Sequence, residues 1–466
     1  MKKTIILAVL AIALVAVPAH ASVQNVKISG DIDSTWLVRD QFNLGFAAED
    51  FYQNLIISQT RLRVDADLTD NVSATVGILN ERAWNSDNND SEDNDMDLNL
   101  AYVTMREMLY SPLTVVIGRQ NFSFGNSFII DSAGTNNSVA SGGLNAVAED
   151  MTKSTAQDAV RLTLDYNPLT IDVVASKIAS NNSLGNGDSD DDVDLFGINA
   201  NYNLGDSMET VMESYFWSKI DQSVKDDGLG AEADTTYTFG GRVSTNPIKG
   251  LNLQGELAWQ RGNESSTFAL GNQKREAMAA QVIANYILPF ESTAQWSPVV
   301  TGVYTFVSGD SNPAEPDTAG GDERHYTAWD PMFENQGGGT IYNTLFNLTN
   351  AHIVTLKGEI KPMEDVTLWT SWNGMWLDKR IKDTISPDDG TSTNLTLLQP
   401  DGTSIASFAM TSDKKLGDEV GIGAVYDYTE DVQIGARLDW FIPGSAFADT
   451  NNRPAFQSLV NANVAF

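Results

Sequence analysis

The sequence predicts an all-β chain, a transmembrane antiparallel up-and-down β-barrel of about 18 strands with short turns at one rim and long acidic loops at the other. Three observations predict it. Apolar and polar residues alternate with period two along most of the chain, its connections alternate between short and long, and no apolar run after residue 21 is long enough to cross a bilayer as a helix.

The first element is an address. Lys2 and Lys3 precede an uncharged apolar run from Ile5 to Val17, followed by Pro18 and the small-residue site Ala19-His20-Ala21. This is the layout of a cleavable secretory signal, and the run is shorter than the roughly 20 apolar residues of an anchoring helix. The expected organisation is a signal peptide, 1–21, and one barrel domain, 22–466. No cysteine stands at the cleavage site to carry a lipid anchor.

Composition narrows what the barrel can do. The 466 residues include 62 acidic and 29 basic side chains, giving a formal charge of -33, and no cysteine. Disulfide scaffolds and thiolate zinc sites are excluded, and nucleic acid would be repelled. The 10 Trp, 13 Tyr and 19 Phe are too many for a solvated acidic polymer.

The strands follow in order. In VKISGDIDSTWLV, Val26, Ile28, Ile32, Trp36 and Val38 share one face, and Lys27, Ser29, Asp31, Asp33 and Thr35 share the other. TRLRVDADL sets Leu62, Val64, Ala66 and Leu68 against Arg61, Arg63, Asp65 and Asp67. LNLQGELAW sets Leu251, Leu253, Leu257 and Trp259 against Asn252, Gln254 and Glu256. Segments of about ten residues suit a tilted strand that crosses an outer membrane.

The short connections are Thr69-Asp70-Asn71, Asn167-Pro168, Leu204 to Ser207, Asn246 to Gly250, Pro362 to Asp365 and Thr429 to Asp431. Long polar stretches follow Trp84 and Ser180, and another runs from Gly309 to Asn350. Aromatic residues sort by strand end. Trp36, Trp259, Trp376 and Trp440 fall near the outer ends of ascending strands, and Tyr166, Tyr202, Tyr286 and Tyr428 near the inner ends of descending ones. Amphipathic rings prefer headgroup depth, so two aromatic belts are expected. The last segment, VNANVAF, ends on Phe466, as the sorting signal of outer-membrane barrels does.

A closed barrel pairs every backbone donor in lipid without leaving a sheet edge. About 18 strands enclose a lumen too wide for side chains alone to fill, which makes a channel the default consequence. The stretches Phe122 to Gln157 and Gly309 to Asn350 are long enough to fold inward, so a plugged structural or adhesive barrel is the alternative.

Several segments resemble the alginate-export family of outer-membrane barrels. They are QTRLRVDADL from Gln59, LAYVTMRE from Leu100, GRQNFSFGN from Gly118, YTFVSGD from Tyr304, GTIYN from Gly339, LGDEVGIGAVYDY from Leu416 and ARLDWFIPG from Ala436. Their order and spacing carry the similarity across nearly all of the chain after the signal. The resemblance implies an 18-stranded passive conduit in a bacterial outer membrane for an anionic polysaccharide or a similar solute. It also implies arginines along the lumen, matched here by Arg61, Arg63 and Arg119.

Alternation independently places Arg61, Arg63, Arg161, Arg242, Lys357 and Arg437 on the wet face, where they would line the pore. Arg119 joins this set on a different argument. It shares parity with Val115 and Ile117, and a guanidinium facing lipid at the midplane would cost about 2–4 kcal/mol, which calls for an inward turn or an interfacial position. Inward acids Asp31, Asp65, Asp67, Asp165, Glu256, Glu359, Asp427 and Asp439 are placed to neutralise these cations, leaving open anion selectivity, cation preference or weak selectivity.

The acidic clusters Asp87, Asp90, Glu92, Asp93, Asp95, Asp97 and Asp188, Asp190, Asp191, Asp192, Asp194 lack the glycine and terminal glutamate of an EF-hand, and read as solvated loops rather than metal sites. No phosphate loop or nucleophile elbow is present, and His325 and His352 are the histidines after the signal. No enzyme, cofactor or metal is expected. The expected partners are outer-membrane lipid, an anionic polysaccharide or small polar solutes, and the barrel-assembly machinery through Phe466.

Overall fold

The computed structural model describes residues 25–45, 51–84, 96–132, 144, 148–179, 192–222, 232–265, 272–289, 294–311, 325–380, 393–398, 404–449 and 452–466. The expected signal segment 1–21 lies outside the described residues. So do Asp87, Asp90, Glu92, Asp93, Asp95, Asp188, Asp190 and Asp191 of the acidic clusters.

The strands are β1 (Asn25–Asp40), β2 (Tyr52–Thr69), β3 (Val72–Ala83), β4 (Asp97–Met105), β5 (Leu113–Gln120), β6 (Gln157–Asp165), β7 (Leu169–Ala179), β8 (Val193–Asn203), β9 (Val211–Asp221), β10 (Asp234–Ile248) and β11 (Leu251–Ser265). They continue as β12 (Asn272–Ile287), β13 (Val299–Val307), β14 (His325–Tyr326), β15 (Ala351–Met363), β16 (Val366–Leu377), β17 (Thr393–Leu398), β18 (Ser404–Met410), β19 (Lys415–Asp427), β20 (Val432–Pro443) and β21 (Ala455–Ala465). Among the described residues one short α-helix, α1, spans Thr340–Leu345. Among the described residues, all strands except β14, β17 and β18 form one closed antiparallel barrel of 18 strands. The seam joins β1 to β21 from Asp31↔Ala465 to Asp40↔Phe456. β14 adds a parallel pairing to β12, and β17 and β18 pair only with each other.

Alternation sorts as its physics requires. Outward residues such as Ile28, Val282 and Leu356 are 62%, 53% and 52% exposed, so they would meet hydrocarbon. The six expected short turns lie at one rim. Two further connections at that rim, 106–112 and 288–298, are longer than the sequence pattern led us to expect. The aromatic belts are visible as well, with Trp36, Trp259 and Trp440 at one end and Tyr166, Tyr202 and Tyr428 at the other, all exposed.

The lumen face is not wet throughout. Towards the outer ends of the strands it turns apolar, at Leu195, Trp217, Val307, Ile353, Met375, Leu377 and Phe441, all buried. These side chains receive two inward segments. The first brings Phe122, Phe128, Ile129 and Ile130, and the second brings Trp329, Phe333, Ile341, Tyr342, Leu345 and Phe346, so the main hydrophobic core sits inside the barrel. Burying each large apolar side chain contributes about 1.5–3 kcal/mol, which fixes the segments against the wall. A second cluster packs Leu144 and Ala148 on Leu37 and Ile57 at the β1–β2 side.

Candidate functional site: the lumen constriction

The two inward segments are stitched together. Ile130 and Phe333 form a parallel bridge, the Asp131 N–H donates to the Phe333 carbonyl at 2.7 Å, and the Asn335 N–H donates to the Ser127 carbonyl at 2.8 Å. Both are also pinned to the wall by polar contacts. Arg39 donates to Asp150 at 3.0 Å through Nη1, and Lys219 donates to Asp330 at 2.8 Å. Gln260 exchanges two bonds with the Asp330 backbone, at 2.7 and 2.9 Å. Burial works against the charge on Asp330, but the Lys219 ammonium and the Arg275 guanidinium outweigh it and hold the carboxyl below the usual carboxylate range.

The start of α1 is held by Glu419 of β19. Its carboxylate accepts the backbone N–H groups of Thr340 at 2.7 Å, Ile341 at 3.2 Å and Tyr342 at 2.8 Å. These donors have no partner within the helix, so the wall supplies the cap. Gly339 sits at φ +148°, and a Cβ there would collide with the Glu419 carboxylate, so the approach depends on glycine.

Between the segments and the wall lies a cavity of about 650 Å³. Asp150, Gln336, Asn343 and Thr344 line it from the inward side, and Thr301, Thr355, Lys357, Trp369, Ser371, Asn373 and Arg437 from β13, β15, β16 and β20. The Trp369 ring lies against Gly423, whose missing Cβ leaves room for it. Arg437 stands over the ring at 5.0 Å from its centre and Lys357 at 5.8 Å.

Each basic residue expected in the pore has an acidic partner. Arg61 pairs with Asp31 at 2.7 Å, Arg63 with Asp65 at 2.8 Å, Arg161 with Asp172 at 2.8 Å, Arg242 with Glu213 at 3.2 Å, Lys357 with Glu359 at 3.2 Å and Arg437 with Asp439 at 2.6 Å. Lys357 and Arg437 meet at the cavity, whereas Arg61 and Arg63 stand on β2, away from it. Arg242 lies beside the inward Gly125, and Arg161 stacks over Phe124.

Arg119 stands apart from this lumen set. It pairs in register with Asp158, two residues from the outward Val160, and the two side chains meet at 3.4 Å. Arg119 shares parity with the outward Ile117, and its partner Asp158 shares parity with the outward Val160, which sets the pair on the outer face at the far end of β5. His352 is likewise outward, with Nδ1 2.8 Å from the Tyr304 hydroxyl.

Arg39, Asp150, Glu213, Asp330, Trp369 and Glu419 are not singled out by the sequence pattern. Trp369 carried a readable signal, since it shares parity with the polar Thr367, Ser371 and Asn373. Asp150 and Asp330 lie outside the strands, where alternation says nothing.

The alginate export family profile matches residues 25–461. The chain belongs to the alginate export family. Among solved structures it is similar to Pseudomonas aeruginosa OccK2 (OpdF) in complex with glucuronate, at 12% identity and TM-score 0.52, covering 95% of this chain and 99% of that one. It is also similar to Pseudomonas aeruginosa OpdK with vanillate, at 9% identity and TM-score 0.55, covering 95% and 100%. No curated protein matches the chain. This family member is an outer-membrane channel for small solutes or alginate, and not an enzyme. The plugged, adhesive alternative is not favoured.

Proposed function

We propose that the protein passes small hydroxylated solutes and sugar acids by diffusion, with weak charge selectivity, through the passage between the inward segments and the β13–β20 wall. The observation that carries this is the pairing of every predicted lumen cation with a carboxylate. A conduit built to draw polyanions by field alone would leave such cations unpaired, because a paired charge projects little potential beyond a Debye length of about 8–10 Å. The Arg61 and Arg63 guanidinium groups remain partly open to the lumen, at 45% and 44% side-chain exposure, and so can meet a carboxylate in passing.

The test is reversal potential in planar bilayers under a salt gradient. The reading expects ion-conducting pores with a cation-to-anion ratio within about threefold of unity, since paired charges give little net field. A folded, inserted and electrically silent preparation would overturn it, as would strong anion selectivity. The same proposal includes removal of residues 1–21 on export, checked by the mass of protein taken from membranes. It also includes engagement of the assembly machinery by the last strand. Phe466 is 60% exposed, and its backbone pairs with Gly30 through two bonds of 2.9 Å.

A further inference from the structure

We propose that Trp369 is the platform of a saccharide subsite, which takes an uncharged pyranose ring by stacking and hydroxyl hydrogen bonding rather than by reading a carboxylate. The inference rests on the channel reading above and names the chemistry that one point of the passage recognises.

Three observations carry it. Trp369 is an indole on a face otherwise given to polar side chains, and it is half-buried, with the Gly423 backbone against it. An aromatic ring set against the backbone at a water-filled wall has no apolar core to join, so its accessible surface is available to the C–H face of a sugar. The groups around it are hydroxyls and amides, Thr301, Thr355, Ser371, Asn373 and Asn343, which offer donors and acceptors together, as a ring bearing several hydroxyls requires. Finally, the charged groups lining the cavity, Asp150, Lys357 and Arg437, are partnered by Arg39, Glu359 and Asp439, so these pairs cancel in formal charge. A carboxylate entering here would have to displace an existing acid from Lys357 or Arg437. A neutral ring displaces neither. Arg437 and Lys357 are held over the indole by attraction to its π face and cover part of it, so a sugar stacks on the part of the half-buried ring that stays exposed.

Single-channel recording of the full-length protein in planar bilayers tests this, with maltotriose as the neutral probe and trigalacturonate as the charged one. Maltotriose is expected to interrupt the current of the wild type. Its residence time should fall about fivefold to tenfold in Trp369→Ala and recover in part in Trp369→Phe, the range that loss of one ring contact gives. Arg119→Ala, outside the lumen, should leave the interruptions as they are. The subsite is overturned if maltotriose never interrupts an open channel, if only trigalacturonate does, or if residence is the same in Trp369→Ala. In each of those results the pores still conduct, so they are distinct from failure of the channel reading, in which no pore forms. Heat-modifiable mobility on gels confirms that each variant is a folded barrel, and a variant that fails this check is replaced by Trp369→Tyr and Trp369→Leu.

Discussion

Glu419 of β19 holds Tyr342 of the inward helix α1, its Oε2 accepting the Tyr342 backbone N–H at 2.8 Å while Oε1 takes the N–H of Thr340 at 2.7 Å. Replacing the carboxylate by a methyl strands these buried donors, at about 1–3 kcal/mol for each unsatisfied group. Glu419→Ala should therefore give noisier single-channel currents with frequent sublevels, and Glu419→Gln, which keeps one acceptor, should fall between it and the wild type. A Glu419→Ala trace as quiet as the parent's would show that α1 is held by its apolar contacts alone.

The anchor at Asp330 makes a prediction about acid. Its carboxyl titrates below the usual carboxylate range, so its contribution to holding the inward segment is complete above about pH 4 and is lost only as pH falls through the lowered value. Conductance and noise should accordingly be constant from about pH 8 to about pH 4.5, since the group stays charged throughout. Asp330→Asn should show loosened behaviour at every pH. Wild-type noise that rises already near pH 5 would place the sensitive group elsewhere.

Charge balance on β1 and β2 can be tipped either way. Asp31→Asn with Asp65→Asn leaves Arg61 and Arg63 without their carboxylates and should move the reversal potential towards anion preference. Arg61→Glu with Arg63→Glu should move it further in the opposite direction, because four charge units change instead of two. Equal reversal potentials in the two double variants would remove this stretch from the ion path.

Trp217 is fully buried on the lumen side of β9, with the Phe124 ring 5.0 Å away. Trp217→Ala should cost about 3–5 kcal/mol locally, and the loss falls on the docking of segment 121–132 rather than on the hydrogen-bonded wall. The expected result is faster proteolysis within that segment in a barrel that still runs as folded. Proteolysis unchanged from wild type would mean that the bridge to Phe333 suffices.

Arg119 offers the control. Its pair with Asp158 lies on the outer face with 29% and 60% side-chain exposure, where such contacts contribute about 0–1 kcal/mol. Arg119→Ala should change neither ion selectivity nor thermal stability by more than a degree or two, on the order expected for a pair of that strength. A clear shift in reversal potential would return this residue to the lumen.

The barrel was legible because each strand has only two faces and lipid accepts one kind of residue. Val26, Ile28 and Ile32 against Lys27, Asp31 and Asp33 allow a single sorting, and repetition of that contrast sets the strand number. The constriction was far less legible. Leu37, Trp217 and Phe441 are apolar on the face that alternation marks as wet, and their partners Leu144, Phe124 and Phe346 lie in connections without periodicity. For Arg119 parity points outward with Ile117, and alternation alone does not choose between an inward turn and an interfacial position. Trp369 lies within β16 on the parity of polar residues, so sorting aromatic residues by strand end does not reach it.

Phe124 of the first inward segment lies against Trp217 of β9, Ile130 bridges to Phe333 of the second, and Phe346 of that second segment lies against Phe441 of β20. In a ring of 18 strands β9 and β20 stand nearly opposite one another. The two joined segments thus act as a cross-brace. A wide hollow cylinder squeezed by surrounding lipid yields most easily by flattening into an oval, and a tie between opposite walls resists that deformation. Shortening or softening the tie would change the shape of the whole ring, including the strands midway between its two ends.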